Sequence, residues 1–439
     1  MKRIKTSLSG KPFLFMMATV FITLTISFPL FSPLLFGVFS VIFELIRGEK
    51  LEKQLRIIFS LFFTVSLLVF TNLFFVYNQI PLFLITSLYF AFLLGTDLFI
   101  VFHILKYKYA LLLIFGYIAL SRFTLCLSTA FFPFYWTLTM QLLPFMGVIS
   151  RFFLPVFWEA LCVAFAAVRY FSYSHRPLKH FLVQAGAIML TAVTLTHIMK
   201  GEQDRFSLKP GLVCTIIQGG YSRQDYELIE RYPVLGLRMA DKYLGYIKET
   251  KNARLLILPE SAFPVQQTED SEILQDIKNT ARERNEYIMT GVLLEEDKKV
   301  YNAAAFIDPN GLLQNVYRKR TTVLFVETLI FSRGTTANTF SVDGYTIAPL
   351  ICYESLFIRN YFREKRPELY IVISNDIFAE KTILTRLHQA YGVINARTMG
   401  IPLLQATQNG PSFYINSQGG FSELTRPYEQ VIGLPVEIR

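Results

Sequence analysis

The feature that most constrains this chain is a series of long apolar runs, rich in Phe and Leu, between residues 12 and 199. A helix needs about 20 apolar residues to cross the hydrocarbon core of a bilayer. We therefore predict an α-helical transmembrane domain over residues 1–205, with about seven spans near 12–28, 30–46, 56–77, 80–105, 109–128, 149–169 and 181–199. The aromatic, proline-containing segment 131–147 is interpreted as an interfacial or re-entrant piece.

The loops between these runs carry unequal charge. One alternating set holds clusters of Lys and Arg, at 2–11, 47–56, 106–108 and 169–179, while the intervening loops hold few. Because basic loops stay in the cytoplasm, seven spans place the N-terminus there and residue 200 onward in the periplasm. An eighth span at 131–147 would break the alternation. We expect a multi-pass membrane protein, which in a bacterium would lie in the inner (cell) membrane, with its first helix retained rather than cleaved.

Composition argues against several classes of function. The net charge is +10, but much of the basic excess lies in short loops, where it sets topology instead of forming a nucleic-acid surface. No paired-disulfide pattern or CxxC metal motif occurs among the four cysteines. No glycine-rich phosphate-binding motif occurs either. We expect no nucleic-acid partner, no cofactor and no metal.

The second half has the composition of a soluble domain and alternates short β patterns with helical ones. The expected helices are Asp225 to Lys248, Ser271 to Asn285, Leu356 to Glu364 and Leu384 to Thr398. The expected strands are Val213 to Gln218, Leu255 to Leu258, Tyr287 to Leu293, Thr346 to Cys352, Leu369 to Ser374 and Pro402 to Thr407, with hairpins near 301–317 and 414–420. This mixture predicts an α/β layered domain over residues 206–439.

The residues that can carry chemistry centre on Cys352, at the end of an apolar run. The other three cysteines lie inside apolar runs, so Cys352 alone stands beside charged residues. Cysteine attacks as the thiolate, and a carboxylate such as Glu260 can take its proton. A fixed cation such as Lys319 can hold the oxyanion of a tetrahedral intermediate. Taken singly, each residue also has a structural interpretation, as a buried strand cysteine, a helix cap and a solvated charge.

Taken in order, these residues and their neighbours resemble the carbon–nitrogen hydrolase (nitrilase) superfamily. The matching motifs run across about 200 residues: Gln218-Gly219, Leu258-Pro259-Glu260-Ser261-Ala262, Tyr301-Asn302-Ala303, Tyr317-Arg318-Lys319-Arg320, Glu327, Ile351-Cys352-Tyr353-Glu354, Ser374-Asn375-Asp376, His388, Arg397 and Gln408-Asn409-Gly410. The resemblance implies an αββα sandwich with a Glu-Lys-Cys triad. Together with the membrane half, it points to the branch of the family that acylates lipoproteins.

The resemblance implies a two-step acyl transfer. Cys352 would take a fatty acyl chain from a phospholipid as a thioester and pass it to the N-terminal amine of a lipoprotein. Glu260 would act as the base and Lys319 would hold the oxyanion. Glu327 would orient Lys319, and Glu354 would orient Cys352. Tyr353 would line the acyl pocket. The implied partners are the phospholipid donor, the lipoprotein acceptor and the membrane.

Three features depart from the family's pattern. The segment from Glu327 to Gly334 is much shorter than the family's mobile arm, residues 206–439 contain no Trp, and no final transmembrane run precedes Arg439. The chemistry survives these departures, but three hypotheses stay open. The chain is a lipoprotein acyltransferase, a membrane-anchored amidase or acyltransferase with another substrate (as in the shortened conjugal-transfer TraB type), or a catalytically silent envelope interaction protein. The sequence leaves the oligomeric state open.

Overall fold

The protein divides into two compact units. The computed structural model describes residues 10–27, 34–77, 80–104, 212–251, 253–323, 327–379 and 384–438, with a few isolated residues between 107 and 162. Among these, the N-terminal helices belong to the first unit. Residues 212–379 and 391–438 belong to the second.

Four N-terminal helices coincide with the first four predicted spans: α1 Gly10–Ser27, α2 Leu35–Ile46, α3 Leu51–Tyr77 and α4 Ile80–Ile104. Within the described residues, Ser87–Ile104 of α4 is the one segment long and apolar enough to cross a membrane, and Lys11–Ile26 is a shorter apolar helix. The other predicted spans and segment 131–147 fall outside the described residues, apart from isolated helical positions. The count of seven spans therefore stays a prediction.

Two β-sheets form the centre of the second unit. The first sheet has the strand order β13-β1-β2-β4-β5-β6, with β3 paired to β4, and the second has the order β12-β11-β10-β9-β8-β7. The strands are β1 Val213–Gln218, β2 Leu255–Ile257, β3 Phe263–Gln267, β4 Tyr287–Glu296, β5 Lys299–Ile307, β6 Leu313–Arg318, β7 Phe340–Val342, β8 Tyr345–Ile351, β9 Leu369–Ser374, β10 Leu403–Thr407, β11 Phe413–Ile415, β12 Phe421–Glu423 and β13 Val431–Glu437.

Apolar side chains hold these layers together. One buried cluster joins the two sheets, with Ile257 and Phe306 from the first meeting Ile351 and Ile373 from the second. A second cluster lies between the first sheet and three helices: α5 Arg223–Arg231, α6 Val234–Glu249 and α7 Glu272–Arg284. On the second sheet, α8 (Leu384–Met399) brings Gly392 against the side chains of β11. The order helix–sheet–sheet–helix confirms the expected α/β sandwich.

The structure differs from the sequence-based elements in three places. The predicted helix Asp225 to Lys248 is two helices, because Pro233 lacks an N–H and disfavours the α conformation in Tyr232, whose φ is −132°. The predicted helix Leu356 to Glu364 is a pair of 3₁₀ turns, Cys352–Leu356 and Ile358–Tyr361. The short strands β3 and β7 and the strand β13, which pairs antiparallel with β1, were not predicted.

The carboxyl ends of parallel strands bring several polar residues to the sheet edges. In the first sheet β1, β2 and β4 run parallel, and Leu258 continues the ladder by donating its N–H to the Met289 carbonyl at 2.8 Å. In the second sheet β8, β9 and β10 run parallel. Side chains just beyond such strand ends are exposed to a common crevice, which is where α/β sheets place their functional groups.

Gly291 in β4 is required by close packing at one of these strand ends. A Cβ there would lie 2.5 Å from the Pro259 carbonyl oxygen and 2.6 Å from the Glu260 Cα. We expect Gly291→Ala to lower the free energy of unfolding by about 2 kcal/mol or more, because backbone atoms must move to admit the methyl group. Denaturant unfolding of the purified full chain, followed by circular dichroism, measures the loss.

Gly245→Ala is the matched control for this substitution. Gly245 lies inside α6, where an added Cβ would meet no atom within 4 Å. Alanine there is expected to raise stability by about 0.5–1 kcal/mol through helix propensity. Equal effects of the two substitutions would show that β4 does not support the Glu260 turn.

Candidate active site

Three side chains nominated from the sequence lie just beyond strand ends. Glu260 follows β2, Lys319 follows β6 and Cys352 follows β8. Glu260 and Lys319 are buried, and Cys352 is half-buried at the start of a 3₁₀ turn. The structure thus gathers residues from both sheets, which are separated by up to 92 positions in sequence, into one region.

The Glu260 carboxylate is held by three donors. Its Oε1 accepts from the Lys319 Nζ at 3.1 Å and from the Asn302 Nδ2 at 2.6 Å. Its Oε2 accepts from the backbone N–H of Asn375 at 2.7 Å, just past the end of β9. Donors on both oxygens fix the plane of the carboxylate, and buried charge is tolerated only when it is paired and hydrogen-bonded in this way.

The Lys319 ammonium lies between two carboxylates. Besides Glu260 it donates to Glu327 Oε1 at 2.7 Å. Burial opposes the charge of this group, but the negative charges of Glu260 and Glu327 outweigh burial and hold the pKa of Lys319 well above its usual range. Lys319 is therefore a permanent, fixed cation at neutral pH.

Glu327 reaches the ammonium from a short loop. It begins a 3₁₀ turn at 327–329, and its Oε2 accepts from the Val323 N–H at 2.8 Å. The loop returns at Gly334, whose N–H donates to the Lys319 carbonyl at 2.8 Å. The same loop therefore contacts both the side chain and the backbone of Lys319.

The backbone of Cys352 is in the left-handed region, with φ of +49°, which residues other than glycine rarely adopt. Such backbone strain costs on the order of 1–3 kcal/mol and is retained where the surroundings impose it. Burial first and then the charge of Glu260 raise the pKa of the Cys352 thiol well above its usual range, with Lys319 acting in the opposite direction. Asp376, whose carboxylate lies within 4.8 Å of the sulfur, raises the pKa further. The resting group is a thiol, so it needs a base to become a nucleophile.

Glu354 joins the turn of Cys352 to the loop of Lys319. Its Oε2 accepts from the Ile351 N–H at 3.0 Å and from the Tyr317 hydroxyl at 3.0 Å. Its Oε1 accepts from the backbone N–H groups of Arg320 at 2.6 Å and Thr321 at 3.0 Å. Burial raises the pKa of Glu354, while the backbone donors oppose that rise. One fully buried carboxylate thus fixes the distance between two chain segments.

Tyr353 extends away from this charged centre. It is half-buried, and its ring meets the Phe357 ring edge-on with centroids 5.1 Å apart. The Arg359 guanidinium lies 5.0 Å from the centroid of the same Phe357 ring. Phe357 is buried, so Tyr353 is the member of this aromatic pair that presents apolar surface next to the nucleophile turn.

Two contributors were not assigned a role from the sequence. The Asn302 amide donates to Glu260 and also to Glu327 Oε1, at 3.3 Å, so one amide nitrogen joins both carboxylates. The Asn375 contribution is a backbone N–H, which leaves no trace in residue type. The available signal for Asn302 was its place in the Tyr301-Asn302-Ala303 motif, on the strand beside β6.

Comparisons with known proteins show which family this chain resembles. Residues 236–434 match the family described as carbon–nitrogen hydrolase. An apolipoprotein N-acyltransferase of Photobacterium profundum is 25% identical over 231 residues, which cover 46% of this chain and 44% of that one. The enzyme of the same name from Pseudomonas putida is 25% identical over 281 residues, covering 58% and 54%. These alignments span about half of the relatives' own length.

Two solved structures are also similar to this chain. A carbon–nitrogen hydrolase superfamily protein of Xanthomonas campestris is 22% identical, covers 52% of this chain and 91% of its own, and has a TM-score of 0.43. An amidase of Nesterenkonia is 18% identical, covers 52% and 92%, and has a TM-score of 0.40. Residues 236–434 of this chain therefore form a domain that matches the carbon–nitrogen hydrolase family.

Proposed function

We propose that this protein is a membrane-anchored acyltransferase that works through a thioester on Cys352. The observation that carries the proposal is the buried Lys319 ammonium, shared between Glu260 and Glu327 beside a protonated thiol. A fixed cation, a held carboxylate and a thiol in one site are the groups that nucleophilic acyl transfer requires.

In the first half-reaction a phospholipid donates its acyl chain. Glu260 takes the thiol proton as Cys352 Sγ attacks the ester carbonyl carbon. The resulting oxyanion is stabilised by Lys319, whose positive charge is already in place before the reaction. When the intermediate collapses, the ester C–O bond breaks and Glu260 returns its proton to the leaving alkoxide. A lysophospholipid leaves, and the acyl chain stays on Cys352.

In the second half-reaction an amine takes the place of the lysophospholipid. The free N-terminal amine of a lipoprotein attacks the thioester carbonyl carbon, and Glu260 accepts the proton that this nitrogen loses. The C–S bond breaks, the proton passes to the sulfur, and an amide is released with the thiol restored. The same carboxylate thus serves as base, acid and base again, which is why its orientation by three donors matters.

The remaining site residues take supporting roles in this proposal. Glu327 orients Lys319, and Glu354 fixes the turn that carries Cys352. Tyr353 lines the pocket for the acyl chain. The relatives named apolipoprotein N-acyltransferase support the lipoprotein as acceptor. The apolar N-terminal helices support a place in the bacterial inner membrane, where both substrates are held, with the N-terminus cytoplasmic and the catalytic domain periplasmic.

One observation favours a second candidate function. The loop that carries Glu327 returns to Lys319 by Gly334, so little chain is available there to cover a long acyl group. A membrane-anchored amidase or acyltransferase that uses a smaller or different acyl donor would need no such cover. This alternative keeps the same thioester on Cys352 and changes only the substrate.

The first prediction concerns the thioester itself. Full-length protein in detergent, incubated with phosphatidylethanolamine, should gain one acyl mass that neutral hydroxylamine removes. Cys352→Ala should gain none, while Cys214→Ala, which changes a buried β1 thiol, should still be acylated. Intact-mass spectrometry measures all three. Acylation of the Cys352→Ala variant would rule out the proposed nucleophile, and a thioester from short amides alone would favour the second candidate.

The second prediction concerns the thiol. Because the charge of Glu260 raises the pKa of Cys352, Glu260→Gln should lower that pKa and increase the thiolate fraction. We expect iodoacetamide to label Cys352 at least about threefold faster at pH 8 in this variant, although acyl transfer is lost. Glu296→Gln, which removes a carboxylate paired with Arg318, is the control. Peptide mass spectrometry follows the label, and slower labelling of Glu260→Gln would contradict the assigned electrostatics.

The third prediction concerns Asn302 as a positioning residue. Asn302→Leu removes the donor shared by Glu260 and Glu327 and should cost about 1–3 kcal/mol of stability. Asn302→Asp keeps the shape but adds a third carboxylate around one ammonium, so it should be the more damaging change. Asn338→Asp, at an amide that donates to the Asn315 side chain at 2.9 Å, should have a small effect. Denaturant unfolding tests this order, and an equal or milder effect of Asn302→Asp would contradict it.

A further inference from the structure

Three arginines surround the loop that follows Lys319. The Arg359 Nη2 donates to the Thr321 hydroxyl at 3.3 Å, and the Arg333 Nε donates to the Thr322 hydroxyl at 3.0 Å. Arg320 is itself part of this loop, and its Nη2 donates to the Asn360 carbonyl at 3.1 Å. We call Arg320, Arg333 and Arg359 the arginine cluster.

The arginine cluster has no carboxylate partner among the residues that the structure describes. Other arginines of the same unit are ion-paired, as Arg254 is with Asp343, Arg284 with Glu286 and Arg318 with Glu296. Two carboxylates lie at this loop. Glu354 accepts from backbone N–H groups and the Tyr317 hydroxyl, and Glu327 accepts from Lys319, Asn302 and the Val323 N–H. Glu354 attracts Arg320 and Arg359 electrostatically, but within the described part of the second unit no carboxylate accepts a hydrogen bond from these three guanidinium groups.

Arg320 and Arg333 both lie close enough to Arg359 to act on its charge. Burial first, and then the charges of Arg320 and Arg333, lower the pKa of Arg359. Arg320 and Arg359 are half-buried, while Arg333 is exposed. Each guanidinium is held by a hydroxyl, a carbonyl or an aromatic ring, and each keeps donors that these contacts do not use. Such a group of fixed cations is suited to an anion with several oxygens.

We propose that the arginine cluster binds the phosphate group of the acyl donor. Guanidinium groups bind phosphate oxygens through paired, charge-assisted hydrogen bonds. Arg320 directly follows Lys319, and the Glu354 carboxylate that accepts from the Arg320 and Thr321 N–H groups also accepts from the Ile351 N–H, at the turn of Cys352. We therefore place the bound phosphate next to the turn that carries the nucleophile. This inference rests on the proposed function, because it identifies the donor as a phosphate-containing lipid. The same chemistry would also accept free phosphate, and the experiment separates the two sources.

The catalytic test compares two acyl donors in the same detergent micelles. One is phosphatidylethanolamine, and the other is a diacylglycerol, which offers the same ester bonds without a phosphate. The quantity measured is the ratio of the Cys352 acylation rates with the two lipids. We expect this ratio to fall about tenfold or more in Arg333→Gln and Arg359→Gln, as the loss of a charge-assisted hydrogen bond predicts.

Arg366→Gln is the matched control. Arg366 is also an exposed arginine of the second unit, and its guanidinium donates to the Met399 carbonyl at 3.5 Å. We expect its ratio of rates to equal that of the wild type. A ratio that falls equally in Arg366→Gln and Arg333→Gln would attribute the effect to overall charge and overturn the proposal.

A binding measurement keeps the proposal testable without catalysis. Calorimetric titration of the full-length Cys352→Ala protein with glycerophosphoethanolamine, the deacylated headgroup, should show binding that Arg333→Gln weakens about tenfold. Tighter binding of inorganic phosphate than of this headgroup would identify a free-phosphate site and overturn the lipid assignment. Absence of headgroup binding would overturn it as well. If the wild type binds the headgroup but forms no thioester, the phosphate-binding role of the arginine cluster would stand and the proposed function would be refuted.

Discussion

The buried ammonium of Lys319 is the interaction on which the site depends. A lone charge removed from water is prohibitively costly, and pairing restores stability only when both partners and their remaining hydrogen bonds are in place. Glu260 and Glu327 supply the countercharge. The Asn302 amide donates to both carboxylates, and the Asn375 N–H donates to the second oxygen of Glu260. The three charged groups follow strands of the first sheet, whereas the Asn375 N–H follows β9 of the second, so the hydrogen bonds of Glu260 are complete only when both sheets are assembled.

Glu354 gives the same region its rigidity. Its four donors come from the chain before the nucleophile and from the loop around Lys319. Cys352 keeps its left-handed backbone conformation between these anchors. Each carboxylate therefore has its own role. Glu260 acts electrostatically on the thiol, Glu327 binds the Lys319 ammonium, and Glu354 fixes the spacing of the segments that carry Cys352 and Lys319. Losing any of them leaves a different group unpaired.

The sequence predicted site residues well where a strand-like apolar run is followed by a reactive residue. Glu260, Lys319 and Cys352 were nominated because each follows a strand-like run, and parallel strands bring such ends together. Pro233 shows where periodicity misled, since helical spacing on both sides concealed a break that the missing N–H makes necessary. Contributions through a backbone N–H, such as that of Asn375, could not be read from residue type. Arg320, next to Lys319, resembled part of a solvated charge run, and only its surroundings in the folded chain distinguish it from Arg318, which is paired with Glu296.

The pairing of β1 with β13 has a consequence for how the second unit is made. Val213 lies opposite Glu437, on the order of 220 residues further along the chain. β1 therefore gains this neighbour only after β13 has been synthesised, and contacts of such long sequence separation form slowly. The domain cannot be finished piecemeal during synthesis. Until its final strand arrives, the edge of β1 is open to pairing with other chains.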